Sequence, residues 1–322
     1  MGASVDATGA GSHTPVLYQQ VLSALNPRTG SRYIDGTIGA GGHASGILQV
    51  SAPDGELLGL DRDPQALMLA EARLAQFGGR LHLRQGSFAE ITRWASEVGW
   101  GQVEGVLLDL GLSSIQVDNP DRGFSFRTDG PLDMRFDPTQ PLTAADLVNG
   151  LSEAGLAEVL SRYGEEPRAR AVARAIVAAR PLSTTAELAE VVAGAAGRGR
   201  GRIHPATRVF QALRIEVNQE MEALQACLPQ AVKLLVPGGR IAVIAFHSLE
   251  DRQVKAFFRR ESRDCICPPR QPTCTCGHQA SLRVLTPRPI RPDEAELRVN
   301  PRARSARLRI AERLTSAWSL QA

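Results

Sequence analysis

A chain of 322 residues that is 43% hydrophobic and 22% charged can bury a core of its own, which excludes disorder of the whole chain. Its net charge of +3 permits an acidic partner such as RNA without demanding one. No apolar run nears the roughly 18 residues of a membrane span, and the N-terminal MGASVDATGAGSHTPVL lacks a basic stretch followed by an apolar one, so a cytoplasmic protein without a membrane partner is expected.

Residues 1–12 read as a disordered tail. Short apolar runs then alternate with helical patterns: YIDGTI at 33–38, ELLGLD at 56–61, LHLRQG at 81–86 and GVLLDL at 105–110 are the expected strands. Between the second and third, Ala66, Leu67, Ala70 and Leu74 share one helical face. From 111 to 138 the chain is rich in Gly, Pro, Ser and Asp and reads as one long functional loop. A strongly helical stretch runs from Thr143 to about Gly197, and the next helix, 205–228, leads to strands at 238–246 and 306–313. The expected architecture is α/β, with a doubly wound core at 13–117 and 213–322 and an inserted helical subdomain at 118–212.

The first strand runs into Asp35-Gly36-Thr37-Ile38-Gly39-Ala40-Gly41-Gly42-His43, where missing β-carbons let backbone amides approach a ligand. Asp61, ending the second strand, has the spacing of a ribose-hydroxyl acceptor, with a helix cap as its alternative. The glycine order departs from G-x-G-x-x-G, which favours S-adenosylmethionine over a dinucleotide. Asp109 ends the fourth strand, where side chains face the ligand crevice of a doubly wound sheet. In Arg122-Gly123-Phe124-Ser125-Phe126-Arg127, guanidinium and aromatic groups interleave in a way that suits either stacking on an extruded base or packing beneath the loop.

His247 follows the fifth strand and is a candidate substrate contact, while Ser248 with Asp251 suggests a helix start. The absence of G-x-S-x-G argues against a hydrolase. Cys265, Cys267, Cys274 and Cys276 form two C-x-C pairs, which leaves a zinc site and a loop of free thiols both open. Arginines gather at Arg198, Arg200 and Arg202 and at Arg302, Arg304, Arg307 and Arg309, where they could neutralise phosphates or simply face solvent.

Longer blocks carry a resemblance: H-x-P-V-L at 13–17, D-G-T-x-G-x-G-G-H at 35–43, D-R-D-P at 61–64, L-L-D-L-G-x-S-S at 107–114, R-G-F-S-F at 122–126, P-L-D-M-R at 131–135, Y-G-E-E at 163–166, H-P-A-T-R at 204–208 and N-P-R-A-R-S at 300–305. From His13 to about Arg313 the chain resembles the bacterial small-subunit ribosomal RNA cytosine-N4 methyltransferases, the MraW family. That resemblance implies a class I, Rossmann-like methyltransferase core with a helical insertion, S-adenosylmethionine as cofactor, and the small ribosomal subunit with its 16S rRNA as partner, the acceptor being a cytidine of the decoding region.

It further implies that Gly41, Gly42, His43, Asp61, Phe88, Asp109 and Gln116 hold the cofactor, that Asp109 and then His247 assist transfer, and that Arg122, Phe124, Phe126, Arg208 and Arg214 meet the substrate. Ile115 stands where the family usually has proline, and Asp109-Leu110-Gly111-Leu112 replaces the Asn/Asp-Pro-Pro-aromatic motif of many amino-methyltransferases. A nicotinamide oxidoreductase and a non-catalytic RNA-binding assembly factor are the rival readings; intact Asp61 and Asp109 argue against the second. The oligomeric state stays open, a homodimer included.

Overall fold

Runs such as Leu57-Leu58 and Val106-Leu107-Leu108 are apolar at every position because both faces of their strands are covered. In the computed structural model, which describes residues 15–196, 204–269 and 271–315, they belong to one seven-stranded sheet. Its strands are β1 (Arg32–Asp35), β2 (Glu56–Asp61), β3 (Leu81–Gln85), β4 (Val103–Asp109), β5 (Leu235–Ala245), β6 (Leu282–Val284) and β7 (Arg307–Arg313). They lie in the order β3-β2-β1-β4-β5-β7-β6. The first five are parallel, and β7 runs antiparallel to both β5 and β6.

Alternation along the strands divides the core. Ile34, Leu58, Leu60, Val106 and Leu108 pack against Leu224 and Leu228 of helix Glu220–Leu234 and Phe258 of helix Ser248–Glu261. Tyr33, Leu57, Leu107 and Ile244 face the opposite layer, which holds Val21, Ile47 and Leu74. The strand order reverses between β1 and β4, so their carboxyl ends diverge into a crevice, the usual ligand position in such sheets.

A separate apolar cluster runs from Phe124 to Val217 and is built on helices Ala144–Gly150, Glu153–Gly164, Ala169–Ala178, Thr185–Ala196 and Ala206–Asn218. Among the described residues no helix is long and apolar enough to cross a membrane.

Four local expectations change. The helix expected over 205–228 breaks at Gln219, whose φ of 51° starts a second helix in a new direction. The loop after Leu110 holds a short helix, Ser114–Asp118, closed by a reciprocal Ser113/Gln116 capping box. The short strand β6 had no counterpart in the sequence pattern. The helix after β5 is capped by His247, not by Ser248. The expected tail at 1–12 and the Arg198–Arg202 cluster lie outside the described residues.

Candidate active site

The ends of β1, β2 and β4 bring Asp35, Asp61 and Asp109 to the crevice. Asp35 is 1% exposed and accepts from the Thr37 backbone N–H over 3.2 Å. Burial pushes its pKa up to about 7, against the opposing pull of His43. The Thr37 hydroxyl oxygen accepts from the backbone N–H of Asp109 over 2.6 Å, which stitches the β1 turn to the tip of β4. Thr37 had no role assigned from the sequence, because its partner lies on another strand.

Asp61 accepts from the Gly39 N–H at Oδ2 and from the Asp63 N–H at Oδ1, each over 2.9 Å. Burial raises its pKa to about 6. The capping alternative for Asp61 falls away, since Asp63 caps helix Pro64–Leu74 by accepting from Gln65 N–H over 3.0 Å. One lone pair per Asp61 oxygen is left for a ligand hydroxyl.

Gly41 and Gly42 serve packing. Gly41 sits at φ 78° and a β-carbon there would lie 2.8 Å from Leu74, while one on Gly42 would lie 2.5 Å from Pro15. Gly39, at φ 51°, is the glycine of the turn whose added β-carbon would meet almost nothing, so its open side borders the crevice. Phe88 opens the turn after β3 and packs its β-carbon beside Gly36 at the tip of β1.

The His43 ring is buried, stacks on Tyr18 at 6.0 Å and sets Nε2 3.6 Å from Asp109 Oδ2. Among the described residues, neither His43 ring nitrogen nor Asp109 Oδ1 has a hydrogen-bond partner. Buried polar atoms are rarely left unpaired, so three together mark a place for a polar ligand.

Several candidates turn out to hold loops together. Gln116 is buried, accepts from Ser113 N–H and donates to Asp63 Oδ2 over 3.1 Å, so only one N–H of its amide remains. Arg122 is not free to stack on a base: it donates to Asp63 and to the carbonyls of Arg135 and Phe136. Phe124 is buried in the helical cluster, stacked on Phe136 at 5.7 Å, which is the packing reading of that motif. Phe126 is half-buried between His204 and Phe210. Arg62 and Asn218, both unmarked by the sequence, tie the crevice to the insertion: Arg62 donates to the Asn218 carbonyl, and the Asn218 amide holds Met134 and Phe136.

His247 caps the helix after β5. Its Nδ1 accepts from Glu250 N–H over 3.4 Å, and its Nε2 lies 3.0 Å from Glu250 Oε1 without lining up for a hydrogen bond. Burial raises the Glu250 pKa, but His247 and Arg214 outweigh it and leave the carboxyl below its ordinary value. Arg214 makes a two-pronged pair with Glu220 at 2.7 and 2.9 Å. Arg208 is exposed, 3.7 Å from Glu166.

The C-terminal arginines separate too. Arg302 pairs with Asp118, and Arg307 and Arg309 clamp Asp251 at 3.2 and 2.6 Å, so of that group Arg304 alone is exposed without such a pair among the described residues. Cation density lies elsewhere, where Arg252, Lys255, Arg259 and Arg260 of helix Ser248–Glu261, with Arg263 just beyond it, line a groove of about 670 Å³.

Residues 10–314 match the model of the MraW methylase family. The chain is 58% identical over 306 residues to the ribosomal RNA small subunit methyltransferase H of Thermomicrobium roseum, with 94% of each chain covered. It is 52% identical to the protein of the same name from Syntrophotalea carbinolica, covering 94% of this chain and 98% of that one. A Dehalococcoides mccartyi protein, also so named, is 49% identical, with 94% and 86% covered.

Proposed function

Because the chain belongs to the MraW methylase family, we propose that it transfers a methyl group from S-adenosylmethionine to the exocyclic N4 of a cytidine in the decoding region of 16S ribosomal RNA, working on the small subunit in the cytoplasm. The observation that carries the reading at the site is the partnerless Asp109 Oδ1 beside the partnerless His43 ring, at the end of a strand where the sheet opens.

The residues fit the donor. Asp61 has acceptor capacity left for ribose hydroxyls, Phe88 offers an apolar face at the neighbouring turn, and Asp109, joined by Asp35 above the latter's raised pKa of about 7, supplies negative charge for the cationic methionyl end. Gly39 leaves the space that any larger residue would narrow. S-adenosylmethionine, when bound, supplies an electrophilic methyl group on a positively charged sulfur.

The chain must do the rest. An exocyclic amine conjugated into a pyrimidine ring is a weak nucleophile, so it has to be held in line and its lone pair localised by an acceptor for its N–H. Asp109 is that acceptor, and it takes the proton that methylation makes surplus on the nitrogen. Thr37 fixes the Asp109 backbone, and His43 limits the directions its carboxylate can turn. The Arg122–Asp63 pair, and Arg62 through Asn218, tie the 111–138 segment to the residues that follow β2.

Calorimetry with S-adenosylmethionine, followed by single-turnover transfer of labelled methyl, tests the assignment. Asp109→Asn should bind donor more weakly and, at saturating donor, transfer methyl about 10²–10⁴-fold more slowly. Wild-type turnover by that variant would remove Asp109 as acceptor, and a wild-type chain that ignores the donor would overturn the reading itself.

A further inference from the structure

We propose that Cys265, Cys267, Cys274 and Cys276 hold a single structural zinc ion, which staples the loop between helix Ser248–Glu261 and β6. Their four sulfurs lie within 4.8 Å of one another, with Cys274 and Cys276 3.5 Å apart and Cys276 and Cys265 3.9 Å apart. Tetrahedral zinc with bonds of about 2.3 Å places its sulfurs about 3.8 Å apart, so the cluster already has the size of the coordination shell.

The backbone is arranged to support thiolate charge. Ile266 N–H donates to Cys276 Sγ and Thr275 N–H to Cys267 Sγ, each over 3.5 Å, so each C-x-C pair receives an N–H from the other strand of the loop. His278 stands outside the set, because its Nδ1 lies 2.9 Å from the Arg263 carbonyl and its Nε2 3.5 Å from Glu261. Four sulfurs and no open position describe a closed, structural site.

Energetics ask for such a site. No described residue from 262 to 281 is buried, and Ile266, the apolar side chain of the loop, is 38% exposed. Ordering a segment costs roughly 1–2 kcal/mol per residue in backbone entropy, and this one has no apolar core to offset it. The neck is tied by Ser281 N–H to the Glu261 carbonyl at 2.8 Å and by Ala280 N–H to Asp264 at 3.2 Å, but those bonds leave the tip, where the cysteines sit, unconstrained. Ile266 and Arg263 also form one wall of the basic groove, so a fixed loop gives that groove a fixed shape.

The test is metal analysis of the full chain purified under reductant without chelator. One zinc per chain is expected, released when a mercurial caps the thiols. Cys274→Ser/Cys276→Ser should lose the zinc, keep donor binding, and let a protease cut residues 263–281 about tenfold faster or more. If the purified chain holds no metal, it is titrated with zinc sulfate; tight uptake of one equivalent supports the site. Failure to take up zinc, iron in its place, or a mass deficit from disulfides among the four cysteines would overturn it.

Discussion

Arg122 donates through Nη1 to Asp63 Oδ2 across 2.7 Å, and the two side chains are 11% and 1% exposed. This pair joins the residue that caps the helix after β2 to the loop over the crevice. A buried ion pair is strongly destabilising to break from one side, because the remaining charge is left without a partner. Asp63→Ala should therefore cost about 3–5 kcal/mol in urea unfolding. Arg122→Lys should recover little of an Arg122→Ala loss, since an ammonium cannot reach Asp63 and two carbonyls in one fork. An Arg122→Ala protein of unchanged stability and weaker RNA binding would return this arginine to the substrate.

The acidic crevice should show in pH dependence. Asp35 and Asp61 carry folded pKa values of about 7 and about 6, above the ordinary carboxylate range, with burial the main cause. The folded chain then binds more protons than the unfolded chain between about pH 4 and pH 7, so these groups make stability fall as pH rises through that window. Asp35→Asn should flatten the decline and raise stability at pH 8. Affinity for the cationic donor should move the other way, rising from pH 5.5 to pH 8 as both carboxyls ionise. Calorimetry at a series of pH values reads this directly, and a flat profile would contradict it.

His247 and Asp109 can be separated. A residue that caps a helix through an acceptor atom can be replaced by another short acceptor, so His247→Asn should keep most transfer activity, whereas His247→Ala should lose about 1 kcal/mol of stability. If His247→Asn removes transfer as completely as Asp109→Asn while leaving stability intact, the histidine works on the substrate after all.

Much of the sheet was legible in the sequence because β1, β2, β4 and β5 are buried on both faces and carry continuous apolar runs. β6 was not, since three residues between polar loops carry no period, and its place is set by pairing with β7. Asp61 and Asp109 could be marked as strand-end carboxylates from order alone. Asp63, Thr37 and Asn218 could not, because what distinguishes them is a partner on another element, as in the hydrogen bond from Asn218 to the Met134 carbonyl. The same limit separates the arginines: Arg214, Arg307 and Arg309 resemble phosphate ligands in sequence, and their carboxylate partners appear only in three dimensions.

The groove on helix Ser248–Glu261 predicts where RNA phosphates are met. Arg252, Lys255 and Arg259 share one exposed helical face, and among the described residues Lys255 and Arg259 make no ion pair. Lys255→Glu/Arg259→Glu should weaken binding to the small subunit about equally for different RNA sequences and lower the salt dependence by about one unit for each phosphate that is no longer neutralised. Donor affinity should not change. Unaltered RNA binding in filter or mobility assays would place the phosphate track elsewhere.

The most direct test of the whole account is transfer of labelled methyl from S-adenosylmethionine to small ribosomal subunits that lack the modification, with the RNA digested to nucleosides. Label in N4-methylcytidine, absent with Asp109→Asn, is the predicted result. Label in another nucleoside, or none despite measured donor binding, would contradict it.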